Sequence, residues 1–408
     1  MRTRKRIVVV GGNFGGLTAA LTVKKALADE ADVTVVSASD RFLFTPSLIW
    51  VPFGLRRPEQ LRFPLRPTLE SHGVGFVHAE ATRIDAVGGL VTTPAGDYAY
   101  DYLVIATGFR NRRDAVPGMV PDNGVYTITT PRDAVRAGEG WRRFLEDRRS
   151  GDTAPLVVAA APGAGCFGAA YEFLFNAAYQ LRRVGLADRV PLTYVTPEPY
   201  LGHFGIGGLP GGRGLLSTFF RRQGIEAVSG AEITEIAPGK MALASGETLD
   251  FGYAMVIPPF AGREVVAAVP NLTDTNGFVR VRNTYQSLAY PDICAVGAAA
   301  AVSVPWMTPV PVGVPKTGFP TEVQARTAAR NIAVQVRGGV PHERRDFGKI
   351  PAVCVMDAGN NGVMILADRM LPPRRAGVLI PGPQSHAAKV LFERYHLWKS
   401  RHGYTSLP

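Results

Sequence analysis

The chain has 408 residues, enough for two or three domains with well-buried cores, and an ordinary apolar content of 46%. Its 45 Lys and Arg against 34 Asp and Glu give a formal net charge of +11. These basic residues are dispersed, without an aromatic-interleaved basic motif, which sets nucleic acid aside in favour of anionic substrates or an anionic lipid surface. The three cysteines, Cys166, Cys294 and Cys354, lie far apart, which excludes a disulfide framework and a cysteine-built metal site and points to the cytoplasm.

Met1-Arg2-Thr3-Arg4-Lys5-Arg6 has the charge of a signal-peptide start. The apolar run behind it, Ile7 to Val10, meets glycines after four residues and reads as a strand. Gly11-Gly12-Asn13-Phe14-Gly15-Gly16 follows, then a helix through Ala28 and a strand from Val33 to Val36. This is the spacing of a Rossmann β-turn-α-β unit, whose glycine turn and helix N-terminus receive a pyrophosphate. Gly11, Asn13, Phe14, Gly15 and Gly16 are its candidate contacts. Asn13 stands in place of the middle glycine and is expected at positive φ, which asparagine tolerates. Ser37 stands where an acid would hold a ribose.

An apolar strand from Tyr102 to Ile105 ends in Ala106-Thr107-Gly108, which resembles the second signature of flavoproteins with two dinucleotide-binding domains. A later strand, Ile293 to Gly297, falls where such chains return to their FAD domain. There Ala298 replaces the acid that usually holds the ribityl chain. Three signals in this order indicate FAD.

Between them, Leu156 to about Asn271 reads as a second α/β unit: strand, glycine turn, a helix from Cys166 to Val184, and a strand from Leu192 to Val195. The turn Gly163-Ala164-Gly165-Cys166-Phe167-Gly168 satisfies the dinucleotide pattern. The next strand ends in Thr196-Pro197, lacking the acid that holds an NAD ribose, so a fold that has lost its nucleotide competes with a working site. Cys166 opens a helix, where the dipole is expected to favour the thiolate. Cys354 follows a short apolar segment, and Cys294, in an apolar run, reads as a buried small hydrophobe. Glu172, almost two helical turns beyond Cys166, is either a proton shuttle or a structural carboxylate. His203, in a glycine-rich loop, is either an acid–base group or a structural histidine.

The uncharged stretch from Ile293 to Pro315 has the length of a membrane span, but prolines and glycines break it. From Arg369 onward there are seven Lys and Arg and one acid. A helix from His386 to Arg401 is expected there, with Val390, Leu391, Tyr395 and Trp398 near one face. Arg374, Arg375, Lys389, Arg394, Lys399 and Arg401 are candidate contacts to anionic lipid. A surface helix packed by one face on the core is the competing reading.

Taken together, these residues resemble the sulfide:quinone oxidoreductases, relatives of the flavocytochrome c sulfide dehydrogenase flavoprotein, over nearly the whole chain from Val8 to about Trp398. Ser37-Ala38-Ser39-Asp40-Arg41-Phe42-Leu43-Phe44-Thr45-Pro46-Ser47 is similar to the family's flavin-binding segment, which implicates Ser37, Ala38, Arg41 and Pro46. Cys166 to Glu172 matches its first cysteine motif, Glu198-Pro199-Tyr200-Leu201-Gly202-His203 a motif with an active-site histidine, and Ala352-Val353-Cys354 its second cysteine. Val314-Pro315-Lys316-Thr317-Gly318-Phe319 matches the flavin-and-quinone segment.

The resemblance implies an α/β fold of two Rossmann-like domains: an FAD-binding domain from 1–112 and 275–345, a second with a degenerate nucleotide site from 113–274, and a C-terminal quinone- or membrane-facing region from 346–408. It further implies sulfide oxidation through a Cys166/Cys354 pair, with Cys354 facing the flavin and Cys166 carrying sulfur, and with electrons leaving through FAD to a quinone. Ala106, Thr107, Gly108, Gly297, Ala298 and Lys316 would contact FAD, Lys316 as a cation near the flavin edge; Gly318, Phe319 and Phe392 would line the quinone site. Two positions depart from the family. Thr129 stands for a third redox cysteine, which excludes a flavin thioether there, and Asp133 for a nearby histidine. The implied protein is cytoplasmic, with peripheral attachment at the inner face of the cell membrane and self-association left open. Two other readings share these features: a type II NADH:quinone dehydrogenase using the second glycine turn, and a flavin–thiol switch without turnover.

Overall fold

The structure, a computed structural model, describes residues 4–407; Met1, Arg2 and Thr3 of the basic N-terminal run lie outside it. Two parallel five-stranded sheets organise the molecule, as expected for a two-Rossmann α/β flavoprotein fold. In the first, the spatial order is Ile293–Ala295, Tyr102–Ile105, Lys5–Val10, Ala31–Ser37 and Gly75–His78. Ile7 to Val10 and Leu103 to Ile105 are all buried, the continuous apolar reading of strands covered on both faces.

From Lys5–Val10 the chain passes to Ala31–Ser37 on one side and later to Tyr102–Ile105 on the other. The carboxyl end of the first strand is therefore a topological switch point, with Gly11, Ser37 and Ala106 around it. Helix Phe14–Leu27 lies against helix Gly318–Val336. Ala19, Ala20, Ala325, Ala328 and Ala329 are fully buried, small enough for the two backbones to approach closely.

The second sheet has the order Val125–Tyr126, Tyr253–Ile257, Leu156–Ala160, Leu192–Thr196, Ile225–Ser229. Its three central strands are buried at every residue or nearly so. Helix Phe167–Arg183 covers one face and presses Phe167, Tyr171 and Leu174 into the largest core.

A third, antiparallel sheet of Ala352–Asp357, Gly362–Ala367 and Gly377–Pro381 packs on that helix and precedes helix Gln384–Arg401. The uncharged stretch from Ile293 becomes a strand, a short turn and an irregular strap. Among the described residues no helix is long and apolar enough to cross a membrane.

Candidate functional site

At the first switch point Gly11 has φ +106°, and a Cβ there would stand 2.3 Å from the Ala106 carbonyl oxygen. Gly16 has its Cα so close to Gly11 that a Cβ would meet its carbonyl at 1.7 Å. Only glycine lets this turn fold back on the strand Tyr102–Ile105.

Asn13 corrects an expectation. It has φ −87°, an extended conformation any residue adopts, and Gly11 carries the left-handed turn instead. What Asn13 supplies is its Oδ1, which accepts from the Leu43 N–H at 3.2 Å and ties the 37–47 segment to the turn. Because that side chain is turned away, the helix from Phe14 has no side-chain cap. Its first N–H groups remain for an anion, and the buried hydroxyl of Thr107 has no partner in the protein. Side-chain-free turn, uncapped helix and orphan hydroxyl together fit the pyrophosphate and ribityl portion of FAD.

Around this cradle Ser37 is buried and donates to Ser39 O at 2.8 Å, while Ala38, Arg41 and Pro46 are exposed at its rim. Gly108 and Gly297 have φ +71° and +65°. Gly297 N donates to Gln324 Oε1 at 2.5 Å. Lys316 spends two donors on the carbonyls of Ala298 (3.2 Å) and Ala300 (2.7 Å) and lies 3.3 Å from the Phe278 ring centroid. Burial pulls its ammonium down to about 7, opposed by the charge of Asp274. Gly318 packs against the Phe14 ring, and Phe319 is half-buried. Phe392, on the C-terminal helix, touches Phe44 (5.9 Å) and His396 (5.8 Å).

The second turn has a different fate. Gly163 N–H donates to Pro311 O at 2.7 Å, and Ala164 pairs with Pro259. A Cβ on Gly313 would stand 2.2 Å from Ala164 O, and one on Gly165 2.3 Å from the Phe260 ring. The strap through Trp306 and Gly313 thus lies across the backbone that a pyrophosphate would need. The acid missing after the strand is also explained. Glu198 follows two residues later but points inward, accepting from Phe204 N (2.6 Å), Tyr171 (2.9 Å), Thr196 (2.9 Å) and Tyr194 (3.2 Å) hydroxyls.

Cys166 is the N-cap of helix Phe167–Arg183, and Cys354 sits mid-strand opposite Ile365, on the sheet packed against that helix. Both are free, half-buried thiols, close enough for their charges to interact, whereas Cys294 is buried apart in the first sheet's core. The expected lowering of Cys166 does not prevail. Burial pushes it up against the Ala169 amide, and Glu172 adds to the rise. Burial, then Glu172, pushes Cys354 to about 12, with Lys389 opposing.

Glu172 thus lies near both thiols and is firmly held: Oε1 accepts from Asp357 N at 2.6 Å and from Lys389 Nζ. Its pKa is raised by burial, against the pull of Lys389. Asp357 in turn accepts from Trp50 Nε1 (2.8 Å) and pairs with His386 Nδ1 (2.6 Å). Lys389 and Asp357 were invisible as site residues in the sequence; their signal was a charge isolated among apolar neighbours, Lys389 between Ala388 and Val390 and Asp357 closing the Cys354 strand.

This overturns part of the membrane expectation. Lys389 is 3% exposed, Lys399 2% and paired with Glu322 at 2.8 Å, and Arg374 donates to backbone carbonyls of Gly208 and Ile206. Lys389 and Lys399 are buried and Arg374 is half-buried, and each has partners because an unpaired buried cation is costly. Arg394 and Arg401 remain exposed on the helix with Leu391, Phe392 and Trp398, Arg375 is exposed in the turn beside Asp368, and Val390 packs inward.

His203 is buried in a turn whose next residues press on Phe167, beside Cys166. Its ring stands perpendicular to Trp306 of the strap at 5.1 Å, and both His203 Nδ1 and Trp306 Nε1 are buried without a protein partner. Burial, then the charge of Arg374, lowers its pKa, so it is neutral near pH 7. Thr129 accepts from Asn111 Nδ2 at 2.6 Å, and Asp133 pairs with Arg113, so both departures from the family are satisfied by local partners.

The sequence profile of pyridine nucleotide-disulphide oxidoreductases matches residues 5–329. The sulfide-quinone reductase of Aquifex aeolicus is 32% identical over 411 residues, covering 98% of this chain and 92% of that protein. The crystal structure of the sulfide:quinone oxidoreductase from that bacterium superposes with a TM-score of 0.90 at 33% identity, over 98% of this chain and 92% of the other. An NADH dehydrogenase-like protein of Mycobacterium tuberculosis is 30% identical over 318 residues, 72% of this chain and 73% of its own. With this coverage, the chain belongs to the pyridine nucleotide-disulphide oxidoreductases and, within them, to the sulfide-quinone reductase family.

Proposed function

We propose that this protein oxidises sulfide and passes the electrons through FAD to a quinone. The observation that carries the reading is the meeting of the Cys166 turn and the Cys354 strand over one buried Glu172–Lys389 pair.

Hydrosulfide attacks Sγ of Cys166 in a Cys166–Cys354 bridge; the S–S bond breaks, leaving a persulfide on Cys166 and a thiolate on Cys354. The raised thiol pKa values suit this order, because the first nucleophile is the substrate and not a cysteine. Lys389 stabilises the departing thiolate. Closure through the added sulfur gives a trisulfide, Cys166 Sγ–S–Sγ Cys354, releasing one proton and two electrons, with Glu172 as the nearest carboxylate to take the proton. Bound at the first glycine turn, FAD would supply the two-electron sink between the sulfur and a quinone.

Gly11, Phe14 to Gly16, Ser37, Ala38, Arg41, Pro46, Ala106 to Gly108, Gly297 and Ala298 hold the cofactor, and Lys316 braces that edge. Gly318, Phe319 and Phe392 border the quinone, with Phe44 and His396 alongside. His203 works as a neutral acid–base group. We assign residues 1–112 and 275–345 to the FAD-binding domain, 113–274 to the second Rossmann-like domain and 346–408 to a C-terminal quinone- or membrane-facing region. It rests on the cytoplasmic face of the membrane through Leu391, Phe392 and Trp398, flanked by arginines.

The test is anaerobic titration of the purified yellow protein. Sulfide should bleach the flavin and quinone restore it, and NADH should leave it unchanged. Bleaching by NADH alone would support the dehydrogenase instead, and bleaching by sulfide without quinone turnover would support the switch.

A further inference from the structure

Glu198 has no part in the chemistry above, yet it is fully buried and four donors converge on its one carboxylate. These come from the end of one strand (Tyr194, Thr196), from the cysteine helix (Tyr171) and from the backbone of the histidine loop (Phe204). Tyr171 extends the link, accepting from Gly202 N at 3.0 Å. The held backbone is strained: Phe204, next to His203, has φ +55°, a conformation costly for a residue with a Cβ. Such geometry persists only where the surroundings fix it, and the 2.6 Å bond from Phe204 N to Glu198 Oε1 is the fixing contact. On the other side Arg374 binds the carbonyls of Ile206 and Gly208, and Tyr200 binds Gly207 O.

We propose that Glu198 is a positioning residue, whose carboxylate locks the 202–206 turn so that His203 faces Trp306 and the strap over Cys166. The acid that a dinucleotide site would turn toward a ribose is here turned inward to set an active-site loop. The inference rests on the reading of His203 as an acid–base group of the sulfide reaction.

Tyr171 and Tyr194 are the titratable groups facing Glu198, and Tyr200 and Arg374 those facing His203. Burial raises Glu198 to about 7, with its hydrogen bonds opposing. The carboxyl therefore changes charge near neutrality, inside the loop's anchor.

The experiment compares wild type, Glu198→Gln, His203→Ala and the double variant, each loaded with flavin, in rapid anaerobic reduction by sulfide from pH 5.5 to 8.5. Glu198→Gln is expected to slow flavin reduction about tenfold, the scale of one lost hydrogen bond to a charged acceptor, and the ratio of wild-type to variant rate, in which the ionisation of the substrate cancels, should change with pH. In the His203→Ala background the same substitution should change nothing further, because Glu198 acts through His203. Equal rates in wild type and Glu198→Gln, or full additivity in the double variant, would overturn the proposal. Should Glu198→Gln fail to fold, Tyr171→Phe replaces it, with a smaller loss and the same disappearance in the His203→Ala background.

Amide hydrogen exchange gives a readout independent of turnover: Gly202 to Ile206 should exchange faster in either variant. If sulfide does not reduce wild type, the functional reading falls, and unchanged exchange at these amides would separately sink the positioning role.

Discussion

At the residue scale, the proposed chemistry divides the labour between the two cysteines and their buried ion pair. Cys354→Ser should abolish flavin reduction by sulfide, and Cys166→Ser should abolish quinone turnover, while Cys294→Ser, in the core of the other sheet, should keep activity; stopped-flow absorbance at the flavin band reads all three. Lys389→Met strips the buried Glu172 of its ion-pair partner and leaves the Asp357 N–H as its remaining donor. That change should cost about 3–5 kcal/mol of stability in urea unfolding, where a solvent lysine would cost almost nothing. Asn13 makes a finer point. Its worth lies in Oδ1 and not in its φ, so Asn13→Asp should keep stability near wild type, while its added charge beside the anion cradle lowers flavin content. Asn13→Gly and Asn13→Val should both lose about 1 kcal/mol, whatever their backbone preferences. A Gly variant that matches wild type while Val fails would restore the positive-φ account.

At the element scale, the histidine loop and the C-terminal helix each carry a measurable consequence. Glu198 has a folded pKa near 7 against an unfolded value of 4.5, so the native state holds a proton that the unfolded chain has released in between. Its contribution is fully present below pH 4.5 and is lost as pH rises through 7, by about 3 kcal/mol at most. Glu198→Gln lacks that titration, so its melting temperature should gain on wild type from pH 5 to 7 and run parallel above. The C-terminal helix presents Leu391, at 64% exposure, and Trp398, at 48%, with Arg394 and Arg401 nearby. Each arginine near an anionic bilayer contributes on the order of 1 kcal/mol, screened over about 8 Å at physiological salt. Co-sedimentation with anionic vesicles should fall in Arg394→Gln/Arg401→Gln and at high salt. Lys399→Gln should instead lower thermal stability, since that lysine is paired inside with Glu322.

At the scale of the whole molecule, two similar sheets have met different ends. The first keeps an open glycine turn and an uncapped helix at its switch point, and the second has its turn crossed by the Trp306–Gly313 strap and its acid folded inward. On the proposed function, the asymmetry makes one nucleotide site and one sulfur site from a repeated fold. It predicts one flavin per chain, released to the supernatant on acid precipitation because Thr129 offers no thioether. Equilibrium dialysis should find NADH unbound. Colour retained in the pellet, or NADH bound stoichiometrically to Cys166→Ser, would contradict this division.

The sequence by itself determined the elements and their order. Runs such as Ile7–Val10 and Leu156–Ala160 are apolar at every position because both sheet faces are covered, and glycines at 11 and 163 end them where a strand must turn into a helix. It also marked Cys166, Cys354, His203 and the FAD turn, since their chemistry is written in local motifs. Only the tertiary structure decided which charges face water. Lys389 and Lys399 have the spacing of a basic helix edge, yet their partners Glu172 and Glu322 lie 217 and 77 residues away, beyond any pattern of period 3.6. The same holds for the thiols. A helix N-terminus is a local feature that lowers a pKa, whereas burial and the charge of Glu172 depend on the closed fold, and in the low-dielectric interior these outweigh it.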